Sequence, residues 1–141
     1  MHAFHPEDLG DSYTLRWGTP ADAESYANLA ARSFKKNHSE ADNQIVASYA
    51  RDLLSGQHPL CPPERVAVVV DANNQMVAAA GLMDQPFAYA GIPLSVGRPE
   101  VVVSDTAERK RGFIRQIMRW LHAKSAQNGD IAQAITGIEY Y

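Results

Sequence analysis

The sequence has few of the features that mark several large classes of protein. A single cysteine, Cys61, excludes an internal disulfide framework and a zinc site built from several cysteines. No apolar run approaches the roughly 20 residues that span a bilayer. The polar segment 1–12 lacks the basic and then apolar layout of a signal peptide, and the histidines show no metal-ligand spacing. We therefore expect a cytoplasmic protein with no metal site and no membrane partner.

Length and composition are those of one globular domain. With 141 residues the chain can bury roughly two-thirds of the surface that it exposes when unfolded, so its core needs no disulfide or metal. Apolar residues make up 45% and charged residues 21%, close to the globular average, which argues against disorder. We predict a polar N-terminal tail over residues 1–12 and one domain over residues 13–141.

Positive charge is concentrated in one segment. The chain has a net charge of −3, yet residues 105–124 carry six basic and two acidic side chains, a net +4 that leaves −7 for the rest. A local positive patch on an acidic protein favours a specific anionic ligand over general polyanion binding. The patch has no aromatic residues arranged for stacking on bases, so we expect no nucleic-acid partner.

The first part of the chain has the patterns of a strand and two helices. Residues 13–17 alternate between apolar and polar, which is typical of a half-buried strand. A helix is predicted over residues 21–34. A second helix has its apolar stripe over residues 46–53 and follows Ser39 and Asp42, which resemble a capping box.

The middle of the chain changes to strand patterns. Residues 66–70 and 76–83 predict two antiparallel strands joined by a turn. Residues 85–99 contain three prolines and two glycines, which favour an irregular connection or an interrupted hairpin. Four apolar residues of this connection are expected to pack in the core, with the lining of an acceptor pocket as the alternative: Phe87, Tyr89, Ile92 and Leu94.

The last part predicts a strand, a helix and a strand. Residues 101–103 form an apolar strand core, and residues 114–121 have an apolar helical stripe that continues towards a cap at Asn128-Gly129. Residues 131–135 predict a strand parallel to the preceding one through this helical crossover. The order β-α-α-β-β-β-α-β indicates an α/β (α+β) domain with a mixed sheet flanked by helices.

Residues 102–114 bring a strand end, a basic loop and a glycine to the start of an amphipathic helix. The first N–H groups of a helix have no internal partners and carry partial positive charge, so they bind anions. Gly112 has no Cβ and lets a phosphate approach the backbone, while Arg109, Lys110 and Arg111 add full charges. The pattern favours a phosphate site; a solvated charged loop is the alternative.

This segment resembles the acetyl-coenzyme A-binding motif of the GNAT superfamily of N-acetyltransferases, [Q/R]-x-x-G-x-[G/A] after a strand. Arg109 and Gly112 match the first two defined positions, whereas Ile114 replaces the usual small residue, as in members with an arginine-rich form of the motif. The predicted element order also follows the GNAT fold from its first strand to its fifth. The resemblance covers residues 13–141, and residues 137–141 are similar to the approach to the next helix in larger, Eis-like GNAT proteins.

The resemblance implies acetyl-coenzyme A as the cosubstrate. Backbone N–H groups from Lys110 to Ile114 would cradle the pyrophosphate, with Arg109 and Arg111 beside it. The pantetheine arm would pair with the backbone as an added strand, and a splay between the strands at residues 101–103 and 131–135 would admit the thioester. The implied cofactor-binding residues are Val103, Ser104, Arg109, Lys110, Arg111, Gly112, Phe113 and Ile114.

The resemblance also implies direct acetyl transfer. A neutral amine attacks the acetyl carbonyl, a base or a water chain removes its proton, and an acid protonates the departing thiolate. Glu100 is the candidate catalytic base, because many GNAT enzymes have a carboxylate on or near the equivalent strand; a solvated glutamate is the alternative. The usual acid is a tyrosine in a Y-x-x-x-G-[F/Y] pattern, which this sequence lacks, so no acid is assigned.

We interpret the chain as an acetyl-CoA-dependent N-acetyltransferase that acts on a small-molecule or peptide amine. A catalytically incomplete CoA-binding or structural module is the second hypothesis, and a nucleic-acid binder using the helix over residues 109–124 is the third. The GNAT fold continues with a helix and two strands after its fifth strand. We therefore expect a truncated form of a longer protein, or a homodimer that covers the exposed edge of the strand at residues 131–135.

Overall fold

The computed structural model describes residues 4–35 and 41–136. These residues form a mixed sheet with helices on both of its faces, so the predicted fold class is confirmed. The helices are α1 (Ala23–Ser33), α2 (Gln44–Leu53) and α3 (Phe113–Asn128). The strands are β1 (Glu7–Asp8), β2 (Thr14–Trp17), β3 (Val66–Val70), β4 (Met76–Tyr89), β5 (Ile92–Ser104) and β6 (Ala132–Gln133).

The six strands are ordered β1-β2-β3-β4-β5-β6 across one sheet. All neighbouring strands are antiparallel except β5 and β6, which are parallel, as expected of strands joined through the crossover helix α3. Strand β6 has only two residues and is shorter than the predicted strand over residues 131–135, because pairing is limited to Val96–Ala132 and Gly97–Gln133. Within the described residues β6 is an edge strand.

The structure differs from the prediction in two connecting regions. Residues 85–99 do not form an irregular connection; β4 and β5 pair continuously from Tyr89 and Ile92 at the turn to Gly81 and Glu100. This hairpin extends beyond the helices, so its apolar tip is not core. Tyr89 is 77% exposed and Ile92 is 62% exposed.

The polar N-terminal segment also differs from expectation, since residues 4–12 pack on the domain. Strand β1 pairs with β2, and the Phe4 ring lies 5.2 Å from the rings of both Trp17 and Trp120. Glu7 binds Arg119 of α3 at 2.6 Å. Apolar packing, a short backbone pairing and an ion pair therefore hold a segment whose composition is that of a tail.

Helices α1 and α2 begin where a proline or a side chain supports the first turn, whereas α3 begins after Gly112 without a side-chain cap. Pro20 opens the 3-10 turn Pro20–Asp22 that leads into α1, and the Asp22 carboxylate accepts from the Thr19 N–H at 2.8 Å. Helix α2 is capped by Asn43, whose Oδ1 accepts from the Val46 N–H at 3.1 Å. The predicted cap residue Ser39 lies outside the described residues. Gly129, at φ +79°, ends α3 in the left-handed conformation, which confirms the predicted cap.

The core has one layer on each face of the sheet. On one face, Tyr26 and Leu29 of α1 and Leu53 of α2 pack on β3, β4 and β5. On the other face, Ile117 and Leu121 of α3 pack on the same strands from the opposite side. No helix among the described residues is long and apolar enough to cross a membrane.

Asp22 joins the start of α1 to the sheet through hydrogen bonds that require its charge. Its two oxygens accept from the Arg16 guanidinium, both at 2.8 Å, and from the Thr19 N–H at 2.8 Å. The Arg16 hydrogen bonds hold the pKa of Asp22 below its ordinary value, against partial burial, which raises it. The stabilisation is therefore present above about pH 3.9, the unfolded pKa, and is lost as pH falls further.

Asp22→Asn should accordingly destabilise the protein in a pH-dependent way. We expect a loss of about 1–3 kcal/mol in the free energy of unfolding at pH 7, because a charged hydrogen-bond acceptor is replaced by a neutral one. The difference between wild type and variant should shrink at an acidic pH below about 3.9, as the native carboxylate takes up a proton. Urea unfolding at both pH values measures this, and a pH-independent difference would contradict it.

Candidate functional site

The turn before α3 presents backbone N–H groups that have no partner within the helix. Gly112 adopts φ +82° and Lys110 adopts φ +68°, left-handed conformations that turn the chain sharply into the helix. The first helical hydrogen bond runs from the Gln116 N–H to the Gly112 carbonyl at 3.2 Å, so the N–H groups of residues 113–115 have no acceptor within the helix. A Cβ at Gly112 would meet no atom within 4 Å, which leaves the approach to this turn open. The turn can therefore receive an anion.

The basic side chains around this turn have different surroundings. Arg109 lines a cavity beside the turn, and within residues 4–35 and 41–136 no carboxylate lies within 4.0 Å of it. Arg111 instead contacts Glu108 at 2.7 Å and lies 5.4 Å from the centre of the Tyr13 ring. Arg109 is thus the better placed of the two for a ligand phosphate, and the role predicted for Arg111 stays a prediction.

Asp105 fixes the loop that leads from β5 to this turn. Partial burial opposes its charged form, but the Ala107 N–H and the Arg32 guanidinium together hold the pKa of Asp105 below its ordinary value. These partners lie at 3.0 Å from its two carboxylate oxygens. The contact with Arg32 ties the loop to the end of α1 and so fixes one side of the adjacent cavity.

Two neighbouring cavities, each of about 430 Å³, form one cleft that leads away from the turn. They share Phe34, Val102 and Ile114 in their walls. The first cavity is otherwise lined by Ser33, Val103, Ser104 and Arg109. The second is otherwise lined by Val46, Tyr49, Pro99, Glu100, Val101, Met118, Ile135 and Thr136. The cleft thus has a basic entrance next to α3 and an apolar interior that ends at a carboxylate.

Strand β5 borders the cleft with an unpaired edge. On one side Val103 and Ser104 pair with Ala79 and Ala78 of β4. On the other side the pairing with β6 is confined to Val96 and Gly97. Among the described residues, therefore, no strand covers the outer edge of β5 from Val101 to Ser104. The resemblance implies a splay between β5 and β6, and this uncovered edge lies beside it.

A β-bulge lies at the centre of this edge. Ala79 pairs with Val103, but Gly81 pairs with Glu100, so β5 contains one residue more than β4 between these pairs. Val101, at the bulge, adopts φ +47°, a conformation that a β-branched residue rarely adopts. The bulge stands directly beside the cleft, because Val101 and Glu100 both line it.

Glu100 lies at the inner end of the cleft with an ion-pair partner. Its carboxylate contacts the Arg98 guanidinium, two residues earlier on the same strand. The Tyr49 ring of α2 lines the same cavity. Partial burial, followed by the nearby charge of Glu100, raises the pKa of Tyr49, so its hydroxyl remains protonated at neutral pH.

Cys61 is not a candidate nucleophile. Burial raises the pKa of its thiol to about 12, and the thiol lies next to Gly81 on the face of the sheet that α1 and α2 cover. A thiol that stays protonated is a poor nucleophile. Among the described residues there is also no cluster of three or more side chains suited to hold a metal ion.

The family follows from the whole sequence rather than from the motif alone. A family model described as an acetyltransferase (GNAT) domain matches residues 14–141. The chain belongs to the GNAT acetyltransferase domain family. No curated protein matches the chain significantly.

Solved structures share the fold of this GNAT domain. An acetyltransferase from Trypanosoma brucei is 20% identical with a TM-score of 0.65, over 90% of this chain and 84% of that protein. Glucosamine-6-phosphate N-acetyltransferase from Arabidopsis thaliana is 13% identical with a TM-score of 0.64, over 91% of this chain and 84% of that protein. A GCN5-related N-acetyltransferase from Kribbella flavida is 23% identical with a TM-score of 0.65, over 86% of this chain but 29% of that protein.

The predicted site residues lie along the cleft and the turn. Val103, Ser104, Arg109 and Ile114 line the cavity next to the turn, and Glu100 lines the inner cavity. The Phe113 side chain packs against Tyr13, so this residue offers the cleft its backbone only. The sequence did not single out Phe34, Tyr49 or Met118, because each reads as an ordinary member of a helical stripe. Residues 137–141, on which the Eis-like resemblance rests, lie outside the described residues.

Proposed function

We propose that this GNAT domain transfers an acetyl group from acetyl-coenzyme A to an amine. The observation that carries the proposal is the continuity of the cleft: a cationic turn, an unpaired strand edge and a carboxylate follow one another along it. Each part matches one part of the reaction. The turn suits a pyrophosphate, the strand edge suits a chain of amides, and the carboxylate suits proton removal.

The residues of the cleft fit coenzyme A. The N–H groups of residues 113–115 and the Arg109 guanidinium would hold the pyrophosphate, since helix N-termini and arginine both favour phosphate oxygens. The backbone groups that alternate residues of β5 present at its outer edge, along Val101 to Ser104, would pair with the pantetheine amides in the manner of an added strand. Apolar walls formed by Phe34 and Val102 would exclude water around the arm.

Acetyl-coenzyme A supplies an activated thioester, so the chain has to position the amine and remove its proton. Glu100 would accept the proton of the attacking amine, directly or through one water. The proton that the departing thiolate gains must come from an acid or from solvent; we assign it to no residue. Apolar groups around Glu100, such as Val46 and Met118, would favour a neutral amine over a hydrated ammonium ion.

Coenzyme A binding without catalysis is the second candidate function. The contact between Arg98 and Glu100 favours it, because an ion pair already engages the carboxylate that would have to accept the proton. The two candidates share the turn and the strand edge and differ only at the inner end of the cleft. Turnover therefore distinguishes them, whereas binding does not.

The test is acetyl transfer by the purified protein. Acetyl-coenzyme A is incubated with a panel of amines that includes a polyamine, an aminoglycoside, an arylalkylamine and a peptide with a free N-terminus. Thiol release is followed with a chromogenic disulfide, and mass spectrometry detects the acetylated amine. An acetylated product supports the proposal. Tight binding of coenzyme A with no product from any amine would favour the binding module.

Several finer expectations remain proposals. They are the Eis-like subgroup, a cytoplasmic location, a small-molecule or peptide acceptor, the absence of a nucleic-acid partner, and pairing of two copies through the exposed edge of β6. Exposed apolar side chains beside β6 support the pairing of two copies: Ile131 is 66% exposed and Ile135 is 56% exposed. Sedimentation analysis measures that pairing.

A further inference from the structure

Tyr26 makes an unusual connection between α1 and the bulge of β5. Its side chain is fully buried, and its hydroxyl donates a hydrogen bond to the Val101 carbonyl at 2.8 Å. The Glu100 carbonyl is also within reach, at 3.3 Å. Burial raises the pKa of Tyr26 well above its ordinary value, so the hydroxyl is a donor throughout the physiological range. A helix side chain thus satisfies backbone carbonyls at the one place where β5 departs from regular pairing.

The bulge decides which face of the sheet carries Glu100. Opposite residues of an antiparallel pair share a face. Glu100 pairs with Gly81. A Cβ on Gly81 would point towards Cys61 and Val66, which belong to the core under α1 and α2. Val101 packs in that same core. Two consecutive residues of β5 therefore point to one face, as a bulge allows.

Without the bulge the carboxylate would point away from α2. Val103 pairs with Ala79, so a regular strand would place Val101 opposite Gly81 and Glu100 opposite Leu82. Leu82 packs in the core on the α3 face. The extra residue is what brings Glu100 to the side of the sheet on which Tyr49 lines the cleft.

The bulge needs support, because its backbone is unfavourable for the residue that occupies it. Val101 has φ +47°, and such a conformation is costly for a β-branched side chain unless the surroundings hold it. The Tyr26 hydroxyl is the polar group that reaches its carbonyl from α1. A glycine at this position would adopt the same conformation without that cost.

We propose that Tyr26 is a positioning residue, whose hydroxyl holds the bulge at Val101 and thereby points Glu100 into the cleft and keeps the edge of β5 open for coenzyme A. The inference rests on the proposed function, since it assigns Tyr26 a role in the coenzyme cleft. Tyr26 acts through the backbone of β5 and does not contact the substrate.

The first measurement is the Kd of coenzyme A, by isothermal titration, for wild type and Tyr26→Phe. We expect the variant to bind about tenfold more weakly, a change that corresponds to about 1.4 kcal/mol. Loss of a buried hydrogen bond also lowers Tm, so a control of similar instability is needed. Val69→Ala removes buried apolar volume from β3 and should lower Tm without changing the Kd.

The second measurement asks whether the strained backbone is the link. Val101→Gly and the double variant Y26F/V101G complete a thermodynamic cycle. If Tyr26 holds the left-handed conformation, the change to phenylalanine should weaken binding about tenfold with valine at position 101 and less than about twofold with glycine there. A merely structural role would reduce Tm in both backgrounds and would not produce this coupling in Kd.

The outcomes distinguish failure of the role assigned to Tyr26 from failure of the proposed function. Two results would overturn the inference and leave the proposed function in place. One is a Kd of coenzyme A in Tyr26→Phe equal to that of the wild type, and the other is an equal loss of affinity whether valine or glycine stands at position 101. Absence of coenzyme A binding by the wild type itself would overturn the proposed function and this inference with it. Coupling in the cycle, with V69A binding normally, supports both.

Discussion

Glu100→Gln should lower kcat for acetyl transfer by about 10²- to 10⁴-fold, the range that a positioned general base contributes. Glutamine keeps the size of the side chain and its place at the inner end of the cleft, but it cannot accept a proton. The contact with Arg98 retains a hydrogen-bond partner in the variant. We therefore expect the KM for acetyl-coenzyme A to change little while kcat falls.

Glu64→Gln is the matched control, because Glu64 is exposed in the turn before β3 and lines neither cavity. Its kcat should equal that of the wild type. Steady-state kinetics with the amine identified by mass spectrometry measure both variants. Unchanged kcat in Glu100→Gln would show that Glu100 is not the base and that another group or solvent takes the proton.

Arg109→Glu should remove most of the stabilisation that coenzyme A gives. A ligand at one hundred times its Kd stabilises the native state by about 2.7 kcal/mol, which raises Tm by several degrees in a domain of this size. Charge reversal next to the pyrophosphate should weaken binding by about a hundredfold, since one charged hydrogen bond is lost and a repulsion is added. At the same concentration of ligand the stabilisation then falls to about 0.4 kcal/mol.

Lys124→Glu is the control for this variant, because it makes the same change of charge on α3 several turns away from Gly112. Its response to coenzyme A should match that of the wild type. Thermal unfolding with and without ligand, at two salt concentrations, measures the effect. Equal responses in Arg109→Glu and wild type would place the pyrophosphate elsewhere.

Local patterns predicted most of the fold because each depends on neighbours in the sequence. The alternation over residues 13–17, the apolar stripe of α3 and the glycine at position 129 all report the environment of a short segment. The turn before α3 was predictable for the same reason, since Gly112 and its basic neighbours are contiguous. These parts of the site follow from sequence alone.

The features that were not predictable depend on contacts across the sheet. The residues around Val101 read as a regular apolar strand, and nothing in them signals an extra residue relative to β4. Tyr26 reads as one apolar position of α1, because its partner lies 75 residues away. Phe4 lies in a segment of polar composition, and only the fold brings Trp17 and Trp120 together to form the surface on which its ring packs.

The hairpin of β4 and β5 was not predictable for a different reason. Prolines and glycines in residues 85–99 predicted a break, yet the strands pair through Pro86 and Pro93. Proline is tolerated in this arm because it extends beyond the helices, where a missing N–H donor can be replaced by water. The sequence shows the residues but not that they lie outside the core.

The most direct test of the account is a crystal structure of the protein with coenzyme A. We expect the pyrophosphate within hydrogen-bond distance of the N–H groups of residues 113–115, the pantetheine arm along Val103 and Ser104, and the thiol near Glu100. Coenzyme A bound at another surface, or an outer edge of β5 that is closed against the arm, would contradict the account.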